Sequence, residues 1–266
     1  MNEKLLYLRA EENFYKKLVF LPGLCDRLQA KRYVDMVCLM SDIPSVRYNA
    51  IFNLQLSPND MHSRLQEVSK LYTDKGVPFT IHVGPSSDAV TLIKALREQN
   101  FQCIKKAPVM ATTLDEVTLL RNDPETLTIM DGTSQAARAL RYKLMAPVDL
   151  LWAQEEKLLA SVGSTKNSPY KRWVGINNAG EPVMSCVTFV DQGHCGVYDI
   201  IVVPHEDASK YITQFFQCLV RFFHACHTPE TMSVFVPEVE LEKRIAALSF
   251  KNVGTVDAYM QTADLL

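Results

Sequence analysis

The chain has 266 residues, 47% of them hydrophobic and 22% charged, with a formal net charge of -2. That length and mixture suit two compact domains or one large one, and the near-neutral balance excludes an electrostatic footprint for nucleic acid or for an anionic membrane surface. No apolar run approaches the ~20 residues of a membrane span, and the seven cysteines form no C-x-x-C pair, so reduced thiols in a cytoplasmic protein are expected.

Met1-Asn-Glu-Lys-Leu-Leu-Tyr-Leu-Arg9 is interrupted by charge too early for a secretory signal. The spacing of Leu5, Leu8 and Leu18 predicts an amphipathic helix over Lys4–Leu18, stopped by Pro22-Gly23. Tyr33–Met40 and Tyr48–Leu56 read as strands around a turn at Ser41-Asp-Ile-Pro44. Ser57-Pro58 opens a helix near Asp60–Tyr72. A strand Phe79–Val83 follows, then a helix Ala89–Gln99 with cap candidates in Ser86-Ser87-Asp88. Asn100 tolerates a left-handed helix end, and a strand Phe101–Thr112 completes the first half.

Leu114–Leu127 is the expected linker, dividing the chain into domains 1–120 and 121–266. Helices are predicted over Thr133–Met145 and Asp149–Ser161, with a polar loop at Gly163–Lys171. Arg172–Ile176, Pro182–Val190 and His194–Val203 form a strand meander, turned at Asn177-Asn-Ala-Gly180 and Asp191-Gln-Gly193. A long helix over Ala208–His224, a strand Met232–Val236, a helix Val239–Leu248 and a strand Lys251–Thr262 finish the chain. Hairpins first and helical crossovers later imply an α/β fold with a mixed sheet.

The two halves echo each other. Phe79–His82, a helix ending in Ala95-Leu-Arg-Glu-Gln-Asn-Phe101, and a run to Met110 match Val234–Val236, a helix ending in Ala246-Ala-Leu-Ser-Phe250, and a run to Met260. Phe52-Asn-Leu-Gln-Leu-Ser-Pro-Asn-Asp60 answers Tyr198-Asp-Ile-Ile-Val-Val-Pro-His-Glu-Asp207. The repeat is too long for a solenoid and predicts two domains of one design.

With Tyr48-Asn-Ala-Ile-Phe-Asn53, Gly76-Val-Pro-Phe-Thr-Ile-His82, Pro108-Val-Met110, Gly196-Val-Tyr-Asp-Ile-Ile-Val-Val-Pro204 and Leu248-Ser-Phe250, this order resembles the GCN5-related N-acetyltransferase (GNAT) superfamily. It looks most like its tandem members, in which a degenerate N-terminal copy precedes a cofactor-binding C-terminal copy. The resemblance implies transfer of an acetyl group from acetyl-CoA, as cosubstrate, to a small-molecule or peptide amine. Charge, hydropathy and ligand spacing leave no metal, no nucleic acid and no membrane expected, and a homodimer is compatible with the sequence. In such folds a strand splays from its neighbour, the pantetheine arm enters the gap, and a helix N-terminus binds the pyrophosphate. By that likeness Ile201, Val202, Val203, His205, Ala208, Ser209, Lys210 and Tyr211 are the candidate cofactor contacts. Tyr198, Asp199 and Tyr259 are the candidate proton-transfer groups. Two departures are plain: the loop His205-Glu-Asp-Ala-Ser-Lys-Tyr211 has no glycine, and Ile245 and Ser249 stand where the family carries Tyr and Gly. They point to the alternative, a GNAT-fold binding or interaction protein without catalysis.

Other signals have plainer readings. His224 and His227 have metal-like helical spacing but lack a companion pair, so a helix-end role is expected. His194 and Cys195 read as a hairpin shoulder, or as the flank of an acceptor pocket. Strict alternation puts Asp199 on the face opposite Tyr198 and Ile200, toward the site. Phe215, Phe216, Phe222 and Phe223 read as packing. The acceptor pocket is expected from Ala146–Tyr170 and the domain interface.

Overall fold

The computed structural model describes residues 1–117, 119, 127–132, 134–147, 168–204, 207–226, 229–236 and 238–262. The expected helix Asp149–Ser161, most of the expected acceptor loop, His205 and His227 lie outside these residues. The described elements run α1 (Glu3–Phe20), β1 (Leu28–Arg32), β2 (Val37–Ser41), β3 (Ala50–Phe52), α2 (Met61–Thr73), β4 (Thr80–Val83), α3 (Ala89–Glu98) and β5 (Phe101–Thr113). They continue with β6 (Leu127–Asp131), α4 (Gln135–Met145), β7 (Tyr170–Asn177), β8 (Pro182–Asp191), β9 (His194–Val202), α5 (Ala208–Ala225), β10 (Thr231–Phe235), α6 (Val239–Ala246) and β11 (Lys251–Gln261).

The chain forms two compact units, neither of them a single stretch of sequence. A first-half unit holds Phe14–Ala107 and Gly254–Leu266, and a second-half unit holds Met1–Asn13 and Pro108–Val253. In the first-half unit the strands lie in the order β1-β2-β3-β4-β11. The pair β3–β4 is parallel and the other pairings are antiparallel. Its core gathers Leu65, Val68, Tyr72, Phe79, Leu96 and Phe101, with Tyr72 and Phe79 stacked at 4.6 Å.

In the second-half unit the order is β5-β10-β9-β8-β7-β6, with β9–β10 parallel and the rest antiparallel. Helix α5 closes one face because its apolar residues fall at helical spacing: Phe215, Phe216, Leu219, Val220 and Phe223 are all buried in the core. Gly175 on β7 lets the Phe215 ring approach, since a Cβ there would come within 2.7 Å of it. Phe222 packs edge-on against Trp173 at 4.8 Å. The phenylalanines are packing, as their spacing implies.

The repeat is visible in the backbone. In the first-half unit the parallel register of β3 with β4 ends at Ile51↔Ile81, and Asn53 then turns left-handed (φ 54°). In the second-half unit the register of β9 with β10 ends at Val197↔Val234, and Asp199 then turns left-handed (φ 52°). Past these points each strand keeps its outer neighbour. The Gln55 N–H donates to Asp35 O (2.8 Å), and β4 stays with β11 at Val83↔Asp257. The Val203 N–H donates to Val183 O (3.0 Å), and the Val236 N–H to Pro108 O (3.0 Å). Both parallel pairs therefore part at equivalent places. Asn100 and Ser249 also match, each left-handed before the phenylalanine that follows α3 or α6.

Candidate functional site

The site is the notch left where β9 and β10 part. Its cause is a bulge in β9. Ser185 pairs with Ile201 and Val187 with Tyr198, so Asp199 and Ile200 together face Cys186. Asp is one of the few side chains that tolerate the left-handed turn this requires. The extra residue shifts the alternation by one. Cys195, Val197, Ile200 and Val202 share the α5 core, whereas Ile201 packs with Leu144 and Met145 of α4 and with Val203. Tyr198 and Ile200 therefore do not share a face, which corrects the strict alternation expected from the sequence.

Arg141 of α4 backs the bulge. It is 3% exposed, and its Nη1 donates to Ser185 Oγ and, at 3.2 Å, to the carbonyl of Cys186. A buried guanidinium needs such acceptors to offset its lost hydration. Burial pushes the Cys186 thiol well above the ordinary cysteine range, so it is a neutral filler here.

On the α1 side of β9 lies a buried polar cluster. The Tyr198 hydroxyl donates to Asn13 Oδ1 (2.7 Å), and Asn13 Nδ2 donates to the His194 carbonyl (3.3 Å). Gly196 sits between, because a Cβ there would collide with the Tyr198 hydroxyl and with Asn13 Oδ1. The His194 ring joins two hydroxyls, Thr231 Oγ1 at Nδ1 and Ser233 Oγ at Nε2, both at 2.8 Å. Burial, with the charge of Arg9 adding to it, pushes the His194 pKa down to about 4, so the ring is neutral. It joins the hairpin to β10 at its first paired residue, Thr231↔His194.

The three candidate proton-transfer residues are not gathered in one unit. Asp199 and Tyr198 are neighbours at the parting. Tyr259 is 3% exposed in the core of the first-half unit, where β11 pairs it with Ile81. Burial raises the Tyr198 pKa well above the ordinary phenol value, with Cys195 and Asp199 adding to it. A phenol so shifted, with its proton directed to Asn13, is a weak acid toward a thiolate.

At the outer end of the notch α5 begins. Asp207 is its N-cap residue, and its carbonyl accepts from the N–H groups of Lys210 (2.9 Å) and Tyr211 (3.0 Å). Lys210 and Tyr211 turn toward the β7–β8 loop, where they line a cavity of about 270 Å3 with Asn177, Asn178, Ala179 and Asp207. Ser209 turns toward α6, donating to Glu240 Oε1 at 3.1 Å, and Arg244 holds the same oxygen at 2.9 Å. Arg244 first, and Ser209 second, keep the Glu240 carboxyl below its ordinary range. Ile201 is buried, whereas Val202, Val203 and Ala208 are half-buried.

Asn13, Arg141 and Glu240 were not marked in the sequence, since nothing about a lone Asn, Arg or Glu on a helix signals a partner far along the chain. Gly196 offered a signal, because a glycine inside a strand marks a close approach. His224 Nε2 lies 3.1 Å from the Leu114 carbonyl, a structural helix-end bond. Among the described residues no group of three or more His, Cys, Asp or Glu could hold a metal ion, and no helix is long and apolar enough to cross a membrane.

No protein-family model matches the sequence, and no curated protein does. Solved structures do match. A GCN5-related N-acetyltransferase from Kribbella flavida aligns with a TM-score of 0.72 at 11% identity, over 97% of this chain and 96% of that one. One from Sphaerobacter thermophilus aligns at 0.62 and 11% identity, over 97% and 91%. A tandem GNAT protein from the clavulanic acid biosynthesis pathway aligns at 0.58 and 12% identity, over 85% and 77%. With two units built alike, each parting a parallel strand pair before a helix, the chain has the fold of the GCN5-related N-acetyltransferase superfamily in its two-domain form.

Proposed function

We propose that the protein is an acyl-CoA-dependent N-acetyltransferase whose acetyl-CoA lies between β9 and β10 of the second-half unit. The observation that carries this reading is the parting of those strands after Val197↔Val234. Since the Val203 N–H turns to β8, strand alternation turns the Val202 N–H and C=O to the notch. An amide-bearing arm pairs there as an added strand, and the Val202 N–H polarises the thioester carbonyl. The amine nitrogen attacks that carbonyl, the C–N bond forms, and the C–S bond breaks. The amine proton leaves to a base and the thiolate takes one up. Asp199, at the point of parting, is the proposed base, since Tyr198 is bonded to Asn13 and Tyr259 is buried in the core of the first-half unit. Positioning of two reactants supplies much of such a rate. The first turn of α5, with Ala208, Ser209, Lys210 and Tyr211, is proposed to meet the pyrophosphate.

A second reading, binding without transfer, is favoured by Ile245. It is fully buried in the core, where the resemblance would place a tyrosine. Substrate turnover separates the two.

The test is a thermal shift with acetyl-CoA on the native chain and on Val202→Pro. Proline removes the N–H that faces the notch and spares the bonds to β8. A ligand at 100 times its Kd adds ~2.7 kcal/mol to the native chain. The variant should fold and lose that shift. A shift equal in both would contradict the placement.

A further inference from the structure

Two side chains on different helices converge on one oxygen. Ser209, in the first turn of α5, donates its hydroxyl to Glu240 Oε1 at 3.1 Å, and Arg244 of α6 donates from Nε to the same oxygen at 2.9 Å. All three residues belong to the second-half unit. Arg244 first, and Ser209 second, hold the Glu240 carboxyl below its ordinary range, so it is ionised at neutral pH. The trio is not a general product of the repeat. Counted back from the matched left-handed residues Ser249 and Asn100, Glu240 falls on Thr91 and Arg244 on the buried Ala95. Thr91 donates instead to Asp88 at the start of its own helix, at 2.7 Å.

A hydroxyl and a guanidinium aimed at one point hold a phosphate oxygen by the same bonds as a carboxylate oxygen. We propose that Glu240 is an internal stand-in for a phosphate of the acyl donor: its carboxylate turns away as the donor binds, and Ser209 Oγ and Arg244 take a phosphate oxygen in its place. This rests on the reading that acetyl-CoA enters the notch and meets the first turn of α5. Glu240 then sets the strength of donor binding in two ways. Its charge opposes that of phosphate, and its bond to Arg244 is given up before the guanidinium serves the donor. The Glu240 and Arg244 side chains are 49% and 44% exposed, so the carboxylate has solvent to turn into. An exposed i,i+4 pair contributes little to stability, so a donor carrying several phosphate charges displaces it readily.

Isothermal titration calorimetry on the full chain tests the exchange, with acetyl-CoA and with acetyl-pantetheine, which has the arm and no phosphate. Glu240→Gln keeps the shape and removes the charge. It should tighten acetyl-CoA about 5-fold or more, the equivalent of one contact between unit charges at 4 Å in water. Arg244→Gln should weaken acetyl-CoA by a similar factor. Acetyl-pantetheine should show no difference among the native chain and the two variants. If neither ligand binds the native chain, the reading of the notch fails and the exchange with it. If acetyl-CoA does bind, three results would overturn the exchange alone: an affinity unchanged or lowered in Glu240→Gln, no loss in Arg244→Gln, or an equal gain for acetyl-pantetheine in Glu240→Gln.

Discussion

His194 is neutral in the fold because it is buried and its two ring nitrogens are used by Thr231 and Ser233. Its pKa of about 4 lies below the ordinary 6.5 expected of the unfolded chain. Between those values the unfolded state binds more protons, so stability is full above about pH 6.5 and declines as pH falls toward 4. The loss approaches ~1.4 kcal/mol per pH unit at its steepest. His82 is lowered in the same direction, mainly by burial, and adds to the trend. Urea unfolding at pH 7 and pH 5 should show a smaller drop for His194→Gln than for the native chain. Equal drops would mean that His194 titrates alike in both states. At the β8–β9 turn, Gln192 and Gly193 both have positive φ (45° and 75°). Such turns favour Asn-Gly, and Gln192 is exposed. Gln192→Asn should raise stability by roughly 0.5–1 kcal/mol, read from the urea midpoint. An unchanged or lowered midpoint would contradict the strain assigned to Gln192.

Among the elements, β9 decides the site, and its bulge separates two roles of Asp199. Asn accepts a left-handed backbone and cannot act as a base, whereas a β-branched residue cannot accept that backbone. Asp199→Asn should keep the urea midpoint and reduce turnover about 100-fold or more. Asp199→Val should cost about 1–2 kcal/mol of stability. If Asp199→Asn retains full turnover, Asp199 is not the base. The strand itself was legible from its apolar run, but its phase was not. Period-two reading assumes one residue per pleat, and nothing in Tyr198-Asp-Ile-Ile announces an insertion except the Asp. The strands missed from sequence, β1 and β6, lie at the edges of their units. Edges carry charge to resist further pairing, and Lys31, Arg32 and Asp131 masked the alternation. The glycine-free loop was legible as a departure; the Ser209–Glu240 bond beside it was not, because it joins two helices distant in sequence.

Across the whole molecule the repeat was readable, since matched motifs recur in both halves. The interleaving was not. Periodicity cannot reveal that β11 closes the first-half unit or that β5 pairs with β10, since both depend on long-range pairing. The central claim is that the parted strands β9 and β10 receive the arm of acetyl-CoA. Hydrogen–deuterium exchange on the full chain, with and without saturating acetyl-CoA, addresses it segment by segment. The account predicts slowed exchange at 200–203 and 208–211, by about 100-fold at 100 times Kd. Unchanged exchange in both segments at millimolar acetyl-CoA would contradict it.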